Sequence, residues 1–307
     1  MIFSAASVSA RVSALRTFPA RLRRIIGVLA LACLLPACSA VKAVYNQAPE
    51  LAFWYLDGYI DFNGAQSLQV KAELHKLQAW HRRTQLPAYV EVLQRLQQQM
   101  PADMAPKQAC DMFAEVRSKL LAVSAQTEPT AAALAGTLSA GQMAHLERRF
   151  AKNNADYRDE FLDGTPQAQR KKRYQKAVKR AEMLYGPLGE QQLAVLGQII
   201  AQSRFDAALA HTEWLRRQND VLQTLRALSA GANSTDQALV AMRGLYQRSI
   251  ESPDAGYTGY VKALGEDSCK GFSVLHNSTS AEQRKKAVET LKHYEEDLRS
   301  LVTHSRT

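Results

Sequence analysis

Glu289, His293 and Asp297 stand four residues apart, the spacing that lines up three side chains on one face of a helix, and such a set can present a metal ion. Three ligands on one exposed helix with nothing behind them more readily form a salt-bridged surface, so no metal is expected there. His81 continues an apolar stripe of Val70, Leu74 and Leu77, which suits a core histidine better than a ligand or base. His75, flanked by Lys71, Gln78 and Arg82, reads as solvated. No His-Glu-x-x-His, Cys-x-x-Cys, Gly-x-Ser-x-Gly or glycine-rich phosphate loop occurs, so no catalytic residue and no cofactor is assigned. Arg170, Lys171, Lys172, Arg173, Lys176, Lys179 and Arg180 form the most basic stretch and are candidates for binding anionic phosphate groups. The preferred reading is structural. Asp156, Asp159, Glu160 and Asp163 precede the turn at Gly164, and an antiparallel hairpin sets Asp156 opposite Arg173 and Glu160 opposite Gln169 and Arg170.

The reactive group with the clearest local setting is the thiol of Cys38. Arg21, Arg23 and Arg24 lead into an apolar run from Ile25 to Ala37, of secretory h-region length and shorter than the about 20 residues a bilayer span requires. Its end, Leu35-Pro36-Ala37-Cys38, resembles a bacterial lipoprotein signal in which Ala37 is the last residue removed and Cys38 takes acyl chains such as palmitate. Several chains hold firmly where one anchors only marginally. Ser39 follows, not aspartate, and the resemblance then implies the periplasmic face of the outer membrane, with the inner membrane as the lesser alternative.

Removing residues 1–37 takes away Arg11, Arg16, Arg21, Arg23 and Arg24 and no acid, so the net charge falls from +10 to +5. That mild excess suits an anionic surface and gives no reason to expect nucleic acid. Cys33 leaves with the signal and Cys38 is lipidated, which isolates Cys110 and Cys269 in an oxidising compartment. They either bridge, closing a loop of about 160 residues, or stay as two buried thiols; both readings remain open.

These groups must be carried by helices, because no strand-like alternation or tight hairpin signal is present. Residues 38–64 form an aromatic-rich segment after the lipid site. In it Leu51, Trp54, Tyr55 and Phe62 share one side and Phe53, Leu56 and Ile60 another. Packing into the body as a core helix is preferred over lying at lipid headgroups, since the segment is apolar on too many sides and lacks basic residues. Residues 65–307 read as a single all-helical domain. The spacing predicts a helix from Ala65 interrupted at Pro87, a second to Met100, a third over residues 107–123, and a connection over residues 124–138. Ser139 with Gln142 makes a capping box for a helix to Leu162, and Thr165-Pro166 opens the basic helix, which Gly186-Pro187 ends. One apolar pattern follows from Leu193 to Leu225. Helices then start after Asn233-Ser234-Thr235, near Tyr257 and after Ser280, the last with Val288, Leu291, Tyr294, Leu298 and Leu301 inward. The fold class is all-α, about nine helices in a bundle or in stacked antiparallel hairpins.

Tyr45-Asn46-Gln47-Ala48-Pro49-Glu50-Leu51 with Trp54, Asp57-Gly58-Tyr59 and Asp61-Phe62, together with Cys269-Lys270-Gly271-Phe272 and Leu275-His276-Asn277-Ser278-Thr279-Ser280, resemble a family of proteobacterial lipoproteins known only as a domain of unknown function. The resemblance spans the mature chain and implies a periplasm-facing lipoprotein, with no catalytic residue, ligand or partner attached. The expected function is a non-enzymatic binding or scaffolding protein. It would be held to the membrane by acyl chains on Cys38 and would meet an envelope protein or anionic lipid. The alternative is an envelope enzyme acting on a cell-wall or lipid substrate around His276, Asn277 and the aromatic segment.

Overall fold

The structure, a computed structural model, describes residues 38–231 and 233–303; the signal segment over residues 1–37 lies outside the described residues. The described residues form eleven α-helices and one π-helical turn, with no strand. In chain order they are α1 (Cys38–Asn46), α2 (Ala48–Ile60), α3 (Gly64–Gln99), α4 (Pro106–Ala135), α5 (Ala140–Tyr157), the π turn (Arg158–Leu162), α6 (Pro166–Tyr185), α7 (Glu190–Gln202), α8 (Ala207–Ala230), α9 (Thr235–Ile250), α10 (Ala255–Asn277) and α11 (Ala281–Thr303). The chain divides between Tyr45 and Asn46, and the unit that begins at Asn46 holds every helix from α2 to α11.

Two long helices organise the second unit. α3 has 36 residues and α4 has 30, about 54 and 45 Å at 1.5 Å per residue. The break expected at Pro87 is absent. Pro87 lacks an N–H and removes one bond of the ladder, but Leu86 and Val90 beside it are buried, and α3 has its most extensive contact with α11. Leu86, Val90, Gln94 and Gln97 recur at helical spacing on one face, and Gln94 and Gln97 donate to the Glu295 carboxylate of α11 at 2.9 and 2.8 Å. The connection expected over residues 124–138 is also helix as far as Ala135. Its alanines favour the helix and pack inward, Ala132 and Ala135 being buried, so tertiary burial carries the helix past Pro129. Conversely, the apolar pattern from Leu193 to Leu225 is split. Asp206 accepts from the N–H groups of Ala208 and Leu209 at 2.8 and 3.0 Å and starts α8 afresh. These changes, with α1 and α2 counted separately, turn nine helices into eleven.

The apolar side chains gather in two cores. One joins Met100, Met104, Tyr185, Leu188, Leu196, Leu275 and Leu291; the other joins Ala132, Leu138, Leu146, Leu225, Met242 and Leu245. α4 serves both, through Ala109 at its start and Ala135 at its end. A disulfide between Cys110 and Cys269, S–S 2.05 Å, ties α4 to α10 in the first core.

Glutamines fasten the helix ends. Gln66 and Gln142 each accept from the N–H of their own cap, Asn63 and Ser139, at 3.0 and 2.9 Å. Each also reaches across. Gln66 Nε2 donates to the Thr137 carbonyl at 3.0 Å, and Gln142 Nε2 donates to the Asp61 carbonyl at 2.9 Å and to Gln66 Oε1 at 2.6 Å. Gln192 and Gln283 repeat the device, capping Gly189 and Ser280 while donating to the carbonyls of Ser278 and Pro187. Asp61 ends α2 in the left-handed region, φ 59°, and turns the chain into α3.

Candidate functional site

Beside the second core lies a partly open cleft of about 570 Å³. Leu56 and Ile60 of α2, Val70, Leu74 and Leu77 of α3, Ala131 and Leu134 of α4, Val221 of α8 and Met242 of α9 line it, so five helices contribute walls and nearly all are aliphatic. Five of its polar residues pair with one another. Thr127 and Tyr246 share a hydrogen bond of 2.9 Å, the Thr130 hydroxyl donates to Glu73 at 3.3 Å, and Lys76 pairs with Glu73 at 2.6 Å. Gln126 also lines the cleft and is exposed. The volume falls in the range of about 300–1,000 Å³ typical of ligand sites, and the lining selects an apolar, flexible occupant with any charge left near Glu73 and Lys76.

His276, by contrast, is closed off. It is fully buried; Nε2 lies 2.9 Å from the Ala102 carbonyl and Nδ1 lies 2.9 Å from the Tyr185 hydroxyl. A carbonyl only accepts, so Nε2 carries the proton, Tyr185 donates to Nδ1, and burial holds the ring's pKa below its ordinary value. Asn277 accepts from the Met104 N–H at 2.8 Å and donates to the Met104 carbonyl at 3.2 Å. Both side chains clasp the loop between α3 and α4. His81 is half-buried, its Nε2 3.2 Å from the Tyr89 hydroxyl, and burial lowers its pKa too. His75 is exposed, 3.7 Å from Glu50.

The structure separates the other sequence candidates. Of Glu289, His293 and Asp297, the first two are exposed and Asp297 is buried, so they do not form one surface; no metal-binding group of three appears among the described residues. Tyr294, expected inward, is exposed, and the neighbouring Glu295 takes the inward place because Gln94, Gln97 and Arg299 hydrogen-bond it. In the basic helix α6, Lys176 pairs with Glu160 and Lys172 donates to the Glu160 carbonyl, while Asp156 pairs with Lys152 on its own helix. Glu160 is thus met by Lys172 and Lys176, not by Gln169 and Arg170 as the plain hairpin register predicts. Arg173 Cζ sits over the Phe205 ring, 4.7 Å from its centre. Arg170, Lys171, Lys179 and Arg180 remain exposed. A hollow of about 230 Å³ does bring Arg170 and Arg173 together, but Glu160 lines it as well, which weakens it for an anion.

A profile for a family of unknown function, DUF6279, matches residues 58–245. The chain belongs to that family. No curated protein and no solved structure matches it. The DUF6279 segment contains every cleft wall named above except Leu56, together with Glu73, Lys76 and Thr130 of the edge; Tyr246 falls just outside it, and Cys269, His276 and α11 lie well beyond. No helix of the described residues is long and apolar enough to cross a membrane.

The aromatic segment packs onto the body, as its preferred reading has it, with Tyr59 and Ile60 against the second core. α2 packs through one side only. Tyr59 receives a hydrogen bond from Asn153 at 2.7 Å, and Phe53 stacks with Phe62 and lies under Lys71. Leu51, Trp54 and Tyr55 point away and are 50%, 76% and 58% exposed. Sequence reasoning named none of the cleft as a site. Val70, Leu74 and Leu77 read as an ordinary core stripe, and only the placement of five helices leaves space in front of them.

Proposed function

We propose that this DUF6279 protein is a lipid-anchored envelope protein, attached through acyl chains on Cys38 at the periplasmic face of the outer membrane, and that it binds an aliphatic chain in the cleft beside its second core. The cleft carries the reading. Its walls are mostly aliphatic, most of its polar residues pair with one another, and each methylene moved there from water contributes about 0.8 kcal/mol. The competing enzyme reading relied on His276 and Asn277, whose polar atoms are engaged with Tyr185, Ala102 and Met104.

The test is titration of the Cys38→Ser protein with a fluorescent fatty acid. Saturable uptake near one per chain is expected, lost in Ala131→Trp, which fills the cleft, with thermal unfolding retained. Uptake that is absent, or undiminished in Ala131→Trp, overturns the ligand reading. The anchor is tested separately, by the mass of the membrane-extracted protein with and without Cys38→Ser.

A further inference from the structure

We propose that the outward face of α2, formed by Leu51, Trp54 and Tyr55, seats in the headgroup region of the bilayer that holds the acyl chains. The face carries no charge, and the reason is visible in the structure. The two acids of α2 are both turned aside: Glu50 pairs with Lys71 at 3.2 Å and lies 3.7 Å from His75, and Asp57 accepts the Phe62 N–H at 2.9 Å. What remains is one large aliphatic side chain and two aromatic rings with polar tips, the Tyr55 hydroxyl lying 3.3 Å from that of Tyr59. Rings with an apolar body and one polar atom partition to membrane interfaces.

The occupant is argued from the chain. Leu51 follows Cys38 by 13 residues, which bridge about 20 Å as helix and at most about 45 Å extended. A body tethered at Cys38 therefore keeps this face within that reach of the membrane, so that no charge is needed to bring it there. The inference rests on the proposed acylation. It also bears on the cleft, because Leu56 is both 38% exposed and part of the cleft wall, immediately after Tyr55. With the face seated, the cleft opens beside the source of aliphatic chains.

The experiment uses the full-length, lipidated protein in phosphatidylethanolamine–phosphatidylglycerol vesicles carrying nitroxide-labelled lipid near the headgroups. Trp80→Phe with Trp214→Phe leaves Trp54 as reporter; Trp54→Phe with Trp80→Phe leaves Trp214, which is 45% exposed on α8. Loss of Trp54 emission and a blue shift are expected, with Trp214 emission retained. Trp54 no more quenched than Trp214, in protein whose mass includes acyl chains, overturns the proposal. Trp54 shielded from aqueous acrylamide yet untouched by nitroxide also overturns it and points to a protein partner. Protein without acyl mass removes the anchor instead, and the proposal falls with it.

Discussion

Replacing Gln142 by alanine tests whether the helix ends are fastened as described. The substitution removes the bond that caps Ser139, worth about 0.5–1 kcal/mol, and strands the Asp61 carbonyl, which loses its 2.9 Å donor at a corner already in left-handed backbone. Asp61 is exposed, so water takes over part of the lost bond and its carbonyl adds about 1 kcal/mol, for a total of about 2 kcal/mol. For a chain of this size that lowers Tm by roughly 5 °C. Gln237 is the control. It makes the same local box with Ser234 at 2.9 Å but is exposed, and no bond from it to another helix is found among the described residues. Gln237→Ala should cost only about 0.5 kcal/mol. Because Gln142 and Gln66 bond to each other, the double alanine variant should fall short of additivity by about 1 kcal/mol. Urea unfolding followed by circular dichroism gives all four values. If Gln142→Ala is no more costly than Gln237→Ala, the glutamines are ordinary caps and the reasoning fails.

Two further outcomes are expected of the same structure. Cys110→Ala with Cys269→Ala releases a cross-link spanning 159 residues, and the chain-entropy contribution of that loop is about 5 kcal/mol; wild-type protein should lose comparable stability in reductant and the double variant should be indifferent to it. Burial pulls the Glu213 carboxyl upward, but hydrogen bonds from Arg216, then Arg217 and Ser252, prevail and lower its pKa to about 2. A depressed carboxylate stabilises fully above its unfolded value near 4.5 and ceases to do so as pH falls toward 2, a change of about 3 kcal/mol over that window. Glu213→Gln should flatten this acid limb in urea titrations run from pH 5 to pH 2, while an unchanged limb would show that other groups set it.

Legibility in the sequence followed the range of the interaction. Ser139 with Gln142 and Thr165 with Pro166 start helices where the residues alone place them, because a cap is decided within four residues. Pro87 and Pro129 misled for the same reason. Their local preference is to break a helix, and burial of Leu86, Val90, Ala132 and Ala135 by distant segments overrides it. The new start at Asp206 was hidden by apolar spacing that continues through it. The cleft left no sequence signal, since its walls are core-like residues from five helices. The exposed side of α2 was obscured by aromatics on several faces, where no single stripe marks the inside.

The pairing of α3 with α11 sets a timetable for folding. α3 is complete at Gln99 and α11 begins at Ala281, so their pairing joins segments far apart in the chain and closes late, after the loop between them has been ordered. Until it does, the first core stays open, because Leu275, Ala287 and Leu291 come from the last two helices. A chain cut at residue 245, where the family profile stops, would remain in that unfinished state. The last helix completes the work of the first long one.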